Sequence, residues 1–197
     1  STLKRILDRL AWTRSAKRRL ADEELRIRII NHYSTVNSTV KRAVNREGIS
    51  QELCDAVDYL KHHPLSVFPS AFSEKYNPED VEVFSDPATG LKYVLANGKR
   101  LYFKRKSSTR GIRRNFTNLR REQDIHSPHR YLTDAFTVKD HDVIADIGAA
   151  EGNFTLSAIE RIDRAFLFEA DGQWIEALNA TFAPWKEKVE IINRHVS

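Results

Sequence analysis

The stretch Val143–Gly152, reading Val-Ile-Ala-Asp-Ile-Gly-Ala-Ala-Glu-Gly, constrains the fold more than any other part of the chain. A short apolar run meets an acid, two glycines follow with three residues between them, and Phe154–Ile159 then carries apolar residues at helical spacing. This order predicts the strand, glycine turn and helix of a nucleotide-type site. Glycines let the backbone approach a ligand closely, and the helix N–H groups beyond them can meet a carboxylate or a phosphate.

The spacing bears on which ligand is bound. A dinucleotide fingerprint wants G-x-G-x-x-G, whereas here Asp146-x-Gly148-x-x-x-Gly152 puts Ala150 where the middle glycine would stand, which argues against NAD. After the helix a second apolar run, Ala165–Phe168, ends at Glu169. A carboxylate at that strand end can hydrogen-bond both ribose hydroxyls of an adenosine, and it suits an unphosphorylated ribose.

Asp-x-Gly-x-x-x-Gly followed by a strand-end Glu resembles the class I S-adenosylmethionine-dependent methyltransferases. The run Asp146-Ile-Gly-Ala-Ala-Glu-Gly-Asn-Phe-Thr-Leu156, with Phe168-Glu-Ala-Asp171 after it, resembles the FkbM-type methyltransferases more closely. The resemblance covers residues 127–197. It implies an α/β fold in which a Rossmann-like class I methyltransferase sheet contributes its first three parallel strands. It also implies S-adenosylmethionine as cofactor: Gly148, Ala149 and Gly152 would pass under its methionine portion, Asp146 would sit near its ammonium end, and Glu169 would hold the ribose. Ala170 and Asp171 would border the adenine, and Asn153 and Phe154 complete the cofactor-binding set. The family often has Pro after the strand-end Glu; Ala170 stands there in this chain and leaves the carboxylate role intact.

FkbM-type enzymes are associated with O-methylation of sugar or related hydroxyls, so a small-molecule or glycan acceptor is the first expectation. The general base stays open among Asp171, Glu151 and His129. His129, Arg130 and Tyr131 are candidates to line the methionine end or the acceptor, with a core-plugging Tyr131 as the plainer alternative. The competing readings are an RNA or protein methyltransferase that grips its substrate with a basic segment, a non-catalytic partner-binding protein on a degenerate methyltransferase fold, and, last, an NAD dehydrogenase.

With hydrophobic residues at 41% and charged residues at 30%, the composition is that of a soluble globular protein. No apolar run reaches the length of a membrane span, and Ser1-Thr-Leu-Lys-Arg lacks a signal-peptide core. The single cysteine, Cys54, excludes an internal disulfide; its place on an apolar helical stripe predicts a buried thiol and, by default, a cytoplasmic location. The net charge of +5 is concentrated in Arg14–Arg19 and in Lys104–Arg121. Nucleic acid is a permitted but not favoured partner of these clusters, because Tyr102, Phe103 and Phe116 beside the larger one alternate in a way that suits core packing better than base stacking.

Three segments are expected: a helical one over 1–63, a linker with an antiparallel β-meander and a basic segment over 64–125, and the cofactor-binding half-domain over 126–197. Helical stripes predict helices from about Thr2 to Arg19, from Asp22 to Gly48, and from Ser50 to Pro64. No metal site is expected at His62 and His63, whose side chains diverge on a helix. The strands Val81–Ser85, Leu91–Ala96 and Arg100–Lys104, with Asn97-Gly98 between the last two, predict the meander. Ile112, Phe116 and Leu119 lie at helical spacing within the basic segment, and Val189–Asn193 reads as a third buried strand of the parallel sheet. By the resemblance the remaining strands are absent, so the chain is expected to be a fragment of a longer protein or to pair an open strand edge with another chain. That edge, or the N-terminal helices, could support a homo-oligomer.

Overall fold

A computed structural model describes residues 18–33 and 51–195, and the chain divides between Lys75 and Tyr76 into two compact units. Most of the first expected helix and the stripe continuing through Val36, Val40 and Val44 lie outside the described residues.

In the first unit residues 18–33 (α1) are one continuous helix, so the break expected between Arg19 and Asp22 is not there. Asp22, Glu23 and Glu24, read as first-turn acids, lie inside the helix, where Glu23 pairs with Arg26 one turn on. Helix α2 spans Gln51–His62 and buries Val57 and Leu60. The Arg26 guanidinium donates to the Leu60 carbonyl at 2.5 Å, satisfying one of the orphan acceptors at the end of α2. Cys54 is half-buried instead of buried, because it sits beside the Val57–Leu60 stripe and not on it. His63 stacks on Tyr59 and meets Glu74, a carboxylate of the 3-10 turn Ala71–Lys75.

The second unit is α/β and carries two three-stranded sheets. The antiparallel sheet contains β1 (Phe84–Ser85), β2 (Lys92–Ala96) and β3 (Lys99–Tyr102), with Val94 opposite Leu101. The β2–β3 turn has Asn97 and Gly98 both at positive φ, the combination a two-residue hairpin requires and these residue types tolerate. Helix α3 (Thr109–Glu122) is capped by Ser108, whose hydroxyl accepts the Gly111 N–H, and buries Ile112 and Phe116.

The parallel sheet has the order β4 (Val143–Ile147), β5 (Arg164–Phe168), β6 (Val189–Ile192). Helices α4 (Asn153–Ala158) and α5 (Ile175–Phe182) make the crossovers, and Pro184 lies in the 3-10 turn that closes α5. Both helices touch β3 on one side and the parallel sheet on the other, so they lie between the two sheets. One core therefore joins Val94, Leu101 and Phe103 of the meander to Leu156 and Ile159 near α4, Leu178 and Phe182 of α5, and Ala165 and Leu167 of β5. Tyr102 locks the meander to α5 by donating its N–H to the Thr181 hydroxyl at 3.0 Å.

By the described residues only one face of the parallel sheet is covered. Ala165 and Leu167 are fully buried against the helices, while Val143 and Ile147 on the opposite face are 64% and 65% exposed. Strand β6, expected to be buried, has Glu190 exposed and Ile192 half-exposed for the same reason. Its apolar run has the composition of a strand sheltered on both sides, and shelter is present on one.

Candidate functional site

The glycine turn stands at the carboxyl ends of β4 and β5. Gly148 and Ala149 both donate their N–H groups to the Phe168 carbonyl, at 2.8 and 3.1 Å, which ties the turn to the end of the neighbouring strand. Three residues of the turn have positive φ: Gly148, Ala150 and Gly152. At Gly148 a Cβ would meet nothing within 4 Å, so this glycine faces open space; at Gly152 it would lie 2.6 Å from Phe182 Cε2 and 3.0 Å from Leu178 Cδ2. Gly148 therefore borders a crevice, and Gly152, expected to pass under a ligand, lets the start of α4 pack on α5.

Asp146 and Glu169 project to the same face. Asp146 is paired in register with Leu167, and Glu169 lies two residues beyond Leu167 on the same side. The Asp146 carboxylate accepts the Thr155 hydroxyl at 2.6 Å and also the Thr155 backbone N–H, so it caps α4 from within the protein. Burial raises its pKa despite both donors. The Glu169 carboxylate is buried and accepts the N–H of Ala150 at 2.9 Å and of Asp171 at 2.7 Å. Each oxygen thereby takes one backbone donor and keeps capacity for a second.

Around the turn lies a cavity of about 210 Å3, lined by Asp146, Gly148, Glu151, Tyr131, Glu122 and Phe154 among others. Glu151 is buried there, and the loss of solvent, with smaller contributions from Glu122, Asp146 and Glu169, pushes its pKa up to about 7. Tyr131 donates its hydroxyl to Glu122 at 3.0 Å and meets the Phe154 ring edge-on at 5.7 Å between centroids. Burial also raises the Tyr131 pKa, with Glu122 adding to it. A wider trough of about 710 Å3 continues along the free edge of β4, sharing Tyr131, Asp146, Gly148 and Phe154 with the cavity.

The remaining expected residues are spread around this centre. Ala149 is buried and Asn153 is half-buried at the cavity wall, while Ala170 is exposed beyond the strand end. Asp171 is held by Lys104 at 2.6 Å and accepts the Gln173 N–H at 2.9 Å; Lys104 foremost, and then that N–H, lower its pKa. Lys104 also lies 4.5 Å from the centroid of the Trp174 ring, so the acid, the cation and the indole form one unit beside Glu169. Tyr131 is exposed and does not plug the core. His129 is exposed and lines neither cavity nor trough, while Arg130 faces a separate groove.

Glu122, Thr155 and Lys104 were not legible as members of the site. Glu122 and Lys104 reach it from other parts of the fold, and nothing in their own sequence neighbourhood marks that approach; Thr155 stands within the motif run, but its bond to Asp146 is not marked there. Much of the basic segment is tied down: besides Lys104, Arg105 pairs with Glu176, Arg113 with Glu79, and Arg121 donates to the Tyr76 carbonyl. Among the described residues no cluster of three His, Cys, Asp or Glu side chains could hold a metal ion, and no helix is long and apolar enough to cross a membrane. Compared with protein-family models, curated proteins and solved structures, the chain finds no match.

Proposed function

We propose that the chain is an S-adenosylmethionine-dependent methyltransferase with a Rossmann-like class I sheet, acting on a hydroxyl of a sugar or related acceptor. The observation that carries this reading is the cavity beside Gly148, whose lining includes three acidic residues, Glu122, Asp146 and Glu151. Such a space favours a cation and repels a pyrophosphate, which separates a sulfonium and its ammonium group from NAD. Two further observations support it: the open side of Gly148 admits a ligand to the backbone, and Glu169, buried at the strand end outside the lining of the cavity, has acceptor capacity left for ribose hydroxyls.

When bound, S-adenosylmethionine supplies a methyl carbon to the acceptor oxygen, the O–C bond forming as the S–C bond breaks and the sulfur leaving as a neutral thioether. The protein orients the acceptor and receives its hydroxyl proton. Of Asp171, Glu151 and His129, Glu151 is the one that lines the cavity, and burial has moved its pKa to about 7, where a carboxylate is a useful base near neutral pH. Asp171 is occupied by Lys104. A cytoplasmic location goes with this reading, Cys54 being a free thiol.

Calorimetric titration with S-adenosylmethionine, S-adenosylhomocysteine and NAD tests the proposal. Binding of the first two and none of NAD is expected; preference for NAD overturns it. The exposed face at Val143 and Ile147 favours a second reading, a non-catalytic scaffold that binds a partner, and failure of all three ligands to bind would support that one.

A further inference from the structure

A groove of about 640 Å3 lies next to the cavity, between the Asn97–Gly98 end of the meander, α3 and the segment around Leu132. Phe154, Asn153, Leu119 and Gln123 line both spaces, so the groove opens directly beside the proposed methyl-donor site. Its size is that of a small-molecule pocket. Two arginines line it, Arg120 and Arg130, and among the described residues neither forms an ion pair with a carboxylate. Arg120 instead lies 4.9 Å from the centroid of the Tyr76 ring, which holds the side chain beside the groove while leaving its fork of donors free. The rest of the lining alternates apolar surface, Phe116, Leu119 and Phe154, with the amides of Asn97, Gln123 and Asn153.

These observations go together in one ligand. Amides hydrogen-bond hydroxyls, aromatic and aliphatic walls meet the C–H faces of a ring, and paired guanidinium groups recognise an oxyanion. We propose that this groove is the acceptor site and that it takes an anionic sugar, a hydroxylated ring bearing a phosphate or a carboxylate held by Arg120 and Arg130. Its role as acceptor site rests on the methyltransferase reading; its preference for an anionic sugar does not. The donor cavity is rich in carboxylates and the groove in cations, so each space attracts the ligand that the other repels, and the two ligands meet at Phe154.

The test is titration of the chain with glucose 6-phosphate, glucuronate and glucose, which share a ring and differ in the charged group. At least one anion is expected to bind tenfold or more tightly than glucose, and whichever of the two is stronger identifies the head group. Arg120→Gln with Arg130→Gln is expected to bring the anion down to the affinity of glucose, with S-adenosylhomocysteine binding unchanged. Arg110→Gln with Arg114→Gln removes the same charge from the exposed side of α3 outside the groove and is expected to leave anion binding intact. Equal binding of all three sugars, retention of the preference in the first variant, or an equal loss in the second overturns the proposal. Absence of S-adenosylhomocysteine binding with the anion preference present supports the groove's chemistry and overturns the donor reading alone.

Discussion

Glu169, at the end of β5, accepts the backbone N–H of Ala150 in the glycine turn at 2.9 Å. Ala150 has φ +47, a left-handed conformation that an alanine adopts at a cost, and the carboxylate helps to hold it there. The same side chain accepts the Asp171 N–H, so one buried acid fixes both the glycine turn and the chain beyond β5. Glu169→Ala is expected to destabilise the fold by about 1–3 kcal/mol through the two stranded donors, and to weaken S-adenosylhomocysteine binding by about 1.5–3 kcal/mol through the lost ribose contacts. Denaturant melts and calorimetry on the same variant separate the two effects. A variant that binds as tightly as the wild type removes the ribose assignment.

Glu151 links stability to pH in a direction opposite to that of a salt-bridged acid. Its folded pKa is raised from 4.5 to about 7, so between those values the folded chain keeps a proton that the unfolded chain has released. Stability is complete below about pH 4.5, falls as pH rises toward 7 and then levels, the total being about 3 kcal/mol. Glu151→Gln is expected to remove most of that slope, which melts at pH 5 and pH 8 would measure. The cost has a functional counterpart: a cationic ligand gains from the ionised form, so the affinity for S-adenosylmethionine, whose sulfonium gives it a net positive charge, should rise from pH 5.5 to pH 8 in the wild type and stay flat in the variant.

Local patterns made most of the elements readable in the sequence. Asn97-Gly98 announced its hairpin through the positive φ both residues tolerate, and Ile112, Phe116 and Leu119 announced α3 through their spacing. The same holds for Val143–Ile147, Gly148 and Glu169, whose order along the chain already places them at neighbouring strand ends. What the pattern could not convey was pairing at a distance. Lys104 reaches Asp171 across the fold, and Glu122 reaches the cavity from the end of α3. The packing role of Gly152 was hidden for another reason: a glycine against Phe182 and a glycine beneath a ligand are identical in sequence.

The two faces of the parallel sheet should respond differently to truncation. Leu167 is fully buried, and Leu167→Ala is expected to cost about 2–5 kcal/mol by leaving a cavity among Leu156, Ile159 and Leu178. Ile147 is 65% exposed, and Ile147→Ala should stay within about 0.5 kcal/mol. Equilibrium urea melts of the two variants decide the matter, and comparable losses would mean that the outer face is covered in solution, by a second copy or another partner.

The two glycines of the turn offer the sharpest contrast between packing and ligand approach. Both have positive φ, 77° at Gly148 and 79° at Gly152, so alanine at either position carries a backbone penalty of about 1–2 kcal/mol. At Gly152 the new methyl also strikes Phe182 and Leu178, which are buried and cannot swing away, and overpacking adds about 1–3 kcal/mol. At Gly148 the methyl meets no protein atom and instead intrudes on the crevice. Gly152→Ala is therefore expected to lower the melting temperature strongly, with S-adenosylhomocysteine affinity close to wild type in the fraction that folds. Gly148→Ala should melt only slightly early and lose affinity tenfold or more. Full affinity in Gly148→Ala, measured by calorimetry on a sample whose melt is cooperative, would mean that the ligand does not pass over this turn.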